Sequence, residues 1–216
     1  MPKGFIFDLD GVIVDTAKYH FKAWQSLAKN LQYNFTEQDN EQFKGVSRVR
    51  SLELLLEMAQ YKATQKEKAQ WLTEKNDHYL SLISNMNASE ILPGITEILT
   101  ALKAQKIPIA LGSASKNAKP ILEKVGLLSY FDVLVDGNEV AKAKPDPEVF
   151  LTAAKGLGVA PENCVVFEDA LAGVAAAKAA KMVCVAIGDP AILFKADHCF
   201  ASTAEITPSF VQSLIA

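Results

Sequence analysis

Cysteine is scarce in this sequence, an excess of basic residues is missing, and no long apolar run occurs. Three cysteines among 216 residues, Cys164, Cys184 and Cys199, are too few and too scattered for a disulfide framework or a thiolate metal site. They lie in or beside apolar runs, so buried, reduced thiols are expected. No segment approaches the ~20 apolar residues of a membrane-spanning helix. The first strand is not preceded by a signal-peptide core, and a cytoplasmic protein without a membrane partner is expected. The net charge of −3, from 22 basic and 25 acidic side chains, lacks the basic footprint of a nucleic-acid binder. Internal repeats and low-complexity segments are lacking too. A mildly acidic surface repels phosphorylated ligands at long range, so a phosphate site here must be built locally from placed cations.

What is present reads as two textures. Half of the residues are hydrophobic and 22% are charged, which suits a folded chain. Residues 3–8 form a short apolar strand ending in acids. From Thr16 to Ala88 the pattern is helical: Ala17, Phe21, Trp24, Ala28 and Leu31 share one face, as do Leu52, Leu55, Leu56 and Ala59. Thr64-Gln65-Lys66-Glu67 reads as a capping box opening a helix that runs towards Ser84. After Pro93-Gly94, strands (Ile107–Leu111, Phe131–Val135, Cys164–Phe167, Met182–Ile187) alternate with helical segments (Ile95–Lys106, Lys116–Val125, Pro147–Leu157). Asp146 is expected to cap the last of these, with Pro147 at its first position. The strands show no polar alternation, as in strands covered on both faces. The pattern predicts an α/β fold: a Rossmann-like parallel sheet core (1–15 and 93–216) with an inserted helical cap domain (16–92).

In such sheets ligands bind beyond the carboxyl ends of the strands. Four loops deliver chemistry there: Asp8 and Asp10; Ser113-Ala114-Ser115; Lys144 in Lys144-Pro145-Asp146-Pro147; and Glu168-Asp169. Crowded carboxylates call for a hard divalent cation, and oxygen-only ligation favours magnesium. A carboxylate beside such an ion can attack phosphorus. A hydroxyl and an ammonium suit the remaining phosphoryl oxygens, and a second carboxyl two residues on can move the proton. Taken singly, each piece is also an ordinary cap, turn or solvated loop. Their joint placement at one edge gives them chemical meaning.

These four ordered motifs resemble those of the haloacid dehalogenase superfamily along the full chain, and the helical insertion resembles its type-one cap. Within it, Thr16-Ala17-x-Tyr19-His20-Phe21-x-Ala23-Trp24, Lys44-Gly45-Val46-Ser47-Arg48, Lys75-Asn76-Asp77 and Ser113-Ala114-Ser115-Lys116-Asn117 are similar to the β-phosphoglucomutase branch. The resemblance implies that Asp8 is the nucleophile and Asp10 the general acid/base. It implies Mg2+ held by Asp8, the Asp10 carbonyl and Asp169, with Glu168 in or just behind the shell. Ser113 and Lys144 would hold the transferring phosphoryl group. Arg48, Ser115, Lys116 and Asn117 would grip a distal phosphate, and His20, Lys75 and Asn76 would line the cap side. The remaining candidate substrate contacts are Thr16, Trp24, Lys44, Gly45, Val46, Ser47, Ser51 and Ala114.

The function so implied interconverts β-D-glucose 1-phosphate and glucose 6-phosphate through an aspartyl-phosphate and a glucose 1,6-bisphosphate, in a monomer. The rival on the same scaffold is a sugar-phosphate phosphatase that lets water reach Asp8. A more distant one is a non-catalytic phospho-accepting module, which has no use for a lid. Two phosphates define the ends of a substrate better than its middle, so the sugar stays open at this stage.

Overall fold

The computed structural model describes residues 3–215; Met1, Pro2 and Ala216, the ends of the expected core domain, lie outside the described residues. Among these, six strands form one parallel sheet: β1 (Gly4–Phe7), β2 (Ile109–Gly112), β3 (Val133–Val135), β4 (Cys164–Glu168), β5 (Val183–Ile187) and β6 (His198–Phe200). Their spatial order is β3-β2-β1-β4-β5-β6, so the direction of winding reverses between β1 and β4. Such a reversal opens a crevice at the carboxyl ends of those two strands, where Asp8 and Glu168-Asp169 lie.

Period-two alternation sorts the sheet residues to two faces. Phe5, Phe7, Ile109, Leu111, Val165 and Phe167 pack in one core with α5 (Ile95–Ala104), α6 (Ala118–Val125) and α9 (Pro208–Ile215). Ile6, Ala110, Val166, Cys184 and Ala186 pack in the other, under α7 (Glu148–Leu157) and α8 (Leu171–Ala179). Burial of each large side chain contributes roughly 1.5–3 kcal/mol, which explains why strands this short hold.

Between β1 and α5 run α1 (Ala17–Asn30), α2 (Glu37–Glu41), α3 (Arg48–Met58) and α4 (Gln65–Leu82). Trp24, Leu27, Phe35, Phe43, Leu52 and Leu55 make a third apolar cluster among them. The Thr64–Glu67 capping box is present in both directions, and a second one, Thr36 with Asp39, starts α2. The two segments that lead into and out of this helical block are tied together: Asp15 N–H donates to the Glu90 carbonyl (2.9 Å) and Leu92 N–H to that of Ile13 (3.0 Å).

Several local expectations shift. Pro147, not Asp146, occupies the cap position of α7, which begins at Glu148; Asp146 Oδ1 still accepts from the Glu148 N–H (3.0 Å). Lys116 and Asn117 lie in a turn before α6. Strand β6 has no sequence run to mark it and exists because Val185 to Ile187 offer it an open ladder. Cys164, Cys184 and Cys199 are free. No helix among the described residues is long and apolar enough to cross a membrane.

Candidate active site

Asp8 follows β1 directly, and its N–H donates to the Phe167 carbonyl of β4 (3.0 Å). The chain then coils: Ile13 and Val14 N–H both donate to the Leu9 carbonyl (2.9 and 3.1 Å), with Gly11 at φ 77°. A Cβ at Gly11 would collide with the Asp169 carboxylate. Glycine there allows both the left-handed turn and the close approach of β1 and β4 chemistry.

Behind Asp8 lies a fully buried ionic triad. Lys144 Nζ donates to Asp8 Oδ1 (2.8 Å) and Glu168 Oε1 (2.6 Å), and Glu168 Oε2 accepts from the Ala170 N–H (2.7 Å). A Cβ at Gly173 would overlap Glu168, so α8 must carry glycine where it passes the buried carboxylate. Burial pushes Asp8 up to about 7; Lys144 opposes this, and Glu168 and Asp10 reinforce it. Burial lowers Lys144, but Asp8 and Glu168 outweigh it and leave the ammonium above its ordinary range.

Asp169 is raised well above the carboxylate range by burial, Glu168 and Asp8, and it makes no hydrogen bond to any described residue. Oxygens of Asp8, Glu168 and Asp169 all lie within 4.8 Å of one another. One lysine against three carboxylates leaves excess negative charge in an oxygen-only donor set, which fits a hard divalent cation.

Asp10 sits differently. Thr16 Oγ1 donates to its Oδ1, and His20 Nε2 is 3.6 Å from the same oxygen. Burial pushes Asp10 up, yet His20 and Thr16 outweigh it, so its carboxyl titrates below the ordinary value. On the other side of the ring, His20 Nδ1 is 3.1 Å from Lys75 Nζ. When Lys75 donates there, the imidazole proton sits on Nε2, facing Asp10. Burial, then Lys75, hold His20 below its usual range. Lys75 itself is 3% exposed, lies over the rings of Trp24 (4.7 Å) and Tyr79 (4.9 Å), and is pushed down to about 7 by burial and Arg48.

On the β2 side, Ser113 Oγ accepts from the Ser115 N–H (3.1 Å) and Ser115 Oγ from that of Asn117 (3.2 Å). Asn117 Nδ2 reaches across to Asn76 Oδ1 on α4 (3.0 Å). Opposite, Ser47 caps α3 by accepting from the Arg50 N–H, which leaves Arg48 in its first turn. A Cβ on Gly45 (φ 70°) would lie 2.6 Å from that of Ala170, so this loop touches the segment after Asp169.

These elements enclose a cavity of about 610 Å³. Of the sequence candidates, Asp8, Asp10, Ser113, Asp169, His20, Trp24, Lys44, Gly45, Val46, Ser47, Arg48, Ser51, Lys75, Ala114, Ser115, Lys116 and Asn117 line it. Thr16, Lys144, Glu168 and Asn76 do not; they hold Asp10, Asp8 and Asn117 from behind. The sequence reading omitted Gly11, Ala17, Asn40, Phe43, Val49, Leu72, Gly137, Val140, Ala141 and Ala143, all on the cavity wall. The glycines carried a signal in their turn-forming type, whereas the apolar wall residues read as ordinary core.

A haloacid dehalogenase-like hydrolase family model matches residues 2–181. The chain belongs to this family. It is 43% identical over 207 residues (95% of this chain, 92% of the relative) to the β-phosphoglucomutase of Bacillus subtilis. It superposes on a crystal structure of β-phosphoglucomutase from Clostridium difficile with a TM-score of 0.95 and 41% identity, covering 100% of this chain and 97% of that one. A phosphorylated carbohydrates phosphatase of Thermotoga maritima is 34% identical over 177 residues (81% of this chain, 80% of the relative).

Proposed function

We propose that this protein interconverts β-D-glucose 1-phosphate and glucose 6-phosphate through a phosphorylated Asp8 and a glucose 1,6-bisphosphate. One observation carries the reading. The cavity above Asp8 is lined by Lys44, Arg48, Lys75 and Lys116, more cationic side chains than one phosphoryl group needs, and Arg48 sits in the first turn of α3. A helix start with an arginine is a phosphate site, and a substrate phosphorylated at both ends uses the charge at both poles. The similarity to β-phosphoglucomutases supports the same assignment.

Residues 16–92 serve as a cap over the sheet core, in a protein that works as a monomer in the cytoplasm. Lys144 holds Asp8 Oδ1, which leaves Oδ2, without a hydrogen bond to any described residue, free to attack phosphorus. Phosphorylated Asp8 donates to the 6-hydroxyl: the bond from phosphorus to Asp8 breaks, the bond to O6 forms, and the hydroxyl proton passes to Asp10. The bisphosphate turns round, Asp8 takes the phosphoryl group from O1, and Asp10 returns the proton to that oxygen. Thr16 and His20 keep Asp10 ionised until it is needed. Asp8, Asp169 and the Asp10 carbonyl, with Glu168 behind, would hold Mg2+, which would offset the carboxylate charge and that of the transferring group. Ser113 and Lys144 serve the phosphoryl oxygens at Asp8; Arg48, Ser115, Lys116 and Asn117 take the distal phosphate. The cap excludes water, the competing acceptor.

Glucose 1,6-bisphosphate with labelled phosphoryl groups tests this directly. Label is expected on the wild-type protein in a base-labile bond and absent from Asp8→Asn. A labelled Asp8→Asn protein would contradict the assignment. The similarity to a carbohydrate phosphatase favours one second reading, hydrolysis at the same Asp8, which would show as free phosphate without glucose 6-phosphate.

A further inference from the structure

We infer that Asn40 reads a ring hydroxyl of the sugar. The inference rests on the sugar-phosphate reading above and adds specificity for the middle of the substrate, which two phosphate subsites leave open. In the run Glu37-Gln38-Asp39-Asn40-Glu41-Gln42 this residue looks like polar surface. In the fold its neighbours Gln38, Glu41 and Gln42 are exposed, whereas Asn40 is 8% exposed.

The one-turn helix α2 has no use for the amide. Its start is held by the Thr36–Asp39 capping box. The Asn40 backbone is already paired, its N–H donating to the Thr36 carbonyl (3.1 Å) and its carbonyl accepting from Phe43 (3.0 Å). The side chain hydrogen-bonds to no described residue, and Oδ1 is buried without a partner. Two other buried side-chain atoms among the described residues share that condition, Tyr79 Oη and Thr203 Oγ1. Neither residue lines the cavity; Asn40 does.

An unsatisfied buried amide costs about 1–3 kcal/mol, and folded proteins keep few of them. An amide carries both acceptor and donor capacity, which matches the adjacent hydroxyls of a pyranose. A wall built to hydrogen-bond a hydroxyl rejects the analogue that lacks it far more strongly than an apolar wall rejects a change of size.

The test uses β-glucose 1-phosphate and its 2-, 3- and 4-deoxy analogues, with magnesium and catalytic bisphosphate. Glucose 6-phosphate-type product and inorganic phosphate are both measured. The wild type is expected to disfavour one analogue in kcat/KM by about tenfold or more, the size of a lost buried hydrogen bond. Asn40→Leu and Asn40→Ala are expected to collapse that one ratio to under about threefold while the other ratios stand. Unchanged ratios, an equal loss on every substrate, or failure of both variants to fold would each overturn the inference. Phosphate release without isomerisation would remove the mutase reading and leave the Asn40 ratio measurable. No turnover of any kind would sink both.

Discussion

Two lysines, one on each side of the cavity, are equally buried at 3% exposure, and their surroundings treat them oppositely. Lys144, beside the sheet, bonds to two carboxylates, Asp8 and Glu168, and its charge is held above the ordinary range. Lys75, on α4, has two aromatic faces and an imidazole nitrogen for company, and burial pushes it down to about 7. The first cation is complete within the protein and fixes Asp8. The second is short of negative charge, and an anion arriving in the cavity supplies it. On this account the core is organised before substrate binds, and the cap is stabilised by substrate.

The largest effect expected from that difference comes at the core. Lys144→Met leaves Asp8 and Glu168 facing each other uncompensated, and breaking a buried pair from one side costs about 3–5 kcal/mol. Thermal unfolding should fall by roughly 10 °C at a few degrees per kcal/mol, with turnover abolished. An unchanged Tm would break the comparison. Next comes Gly173→Ala: with no space beside Glu168, overpacking should cost about 1–3 kcal/mol and slow turnover without changing any charge.

Lys75→Met should act in the opposite sense, stabilising the substrate-free protein by roughly 1–3 kcal/mol near pH 6, the range of a buried group's desolvation penalty, since its hydrogen bond to His20 brings no opposite charge. The sign follows from proton linkage. The folded value of about 7 lies below the ordinary lysine value, so the cost of the buried charge is full below pH 7. It declines as pH rises towards roughly 10.4, where the unfolded lysine also loses its proton. The stabilisation by Lys75→Met should therefore shrink between pH 7 and 10 in unfolding curves, while kcat/KM falls at every pH. A destabilised Lys75→Met protein at pH 6 would refute the account of the cap. Smallest is Asn76→Ala, which removes the hydrogen bond between α4 and Asn117; loss of about 0.5–1.5 kcal/mol is expected for one hydrogen bond, read as a raised KM with kcat nearly intact.

The same contrast explains what was legible in the sequence. The parallel sheet showed in uninterrupted apolar runs, and Asp8 and Glu168-Asp169 stood out as acids at their ends. Lys144 was legible as a motif member but not as a buried cation, because Asp8 lies 136 residues away in the chain and Lys-Pro reads as solvated loop. Lys75 was hidden more completely: α4 is polar along most of its length, and only packing against α1 brings Trp24 against that one ammonium. Asn40 was hidden for the same reason, within a run of acids and amides of which Glu37, Gln38, Glu41 and Gln42 face solvent. Strand β6, three residues long, depends on the edge of β5 and not on its own composition.

The claim that joins both lysines to one reaction is that Asp8 passes its phosphoryl group to a sugar held at both ends and not to water. The most direct measurement follows glucose 6-phosphate and inorganic phosphate together, from β-glucose 1-phosphate with magnesium and catalytic glucose 1,6-bisphosphate. The account predicts glucose 6-phosphate as the main product, with phosphate a minor one. Phosphate released in step with substrate consumption, and no glucose 6-phosphate, would contradict it.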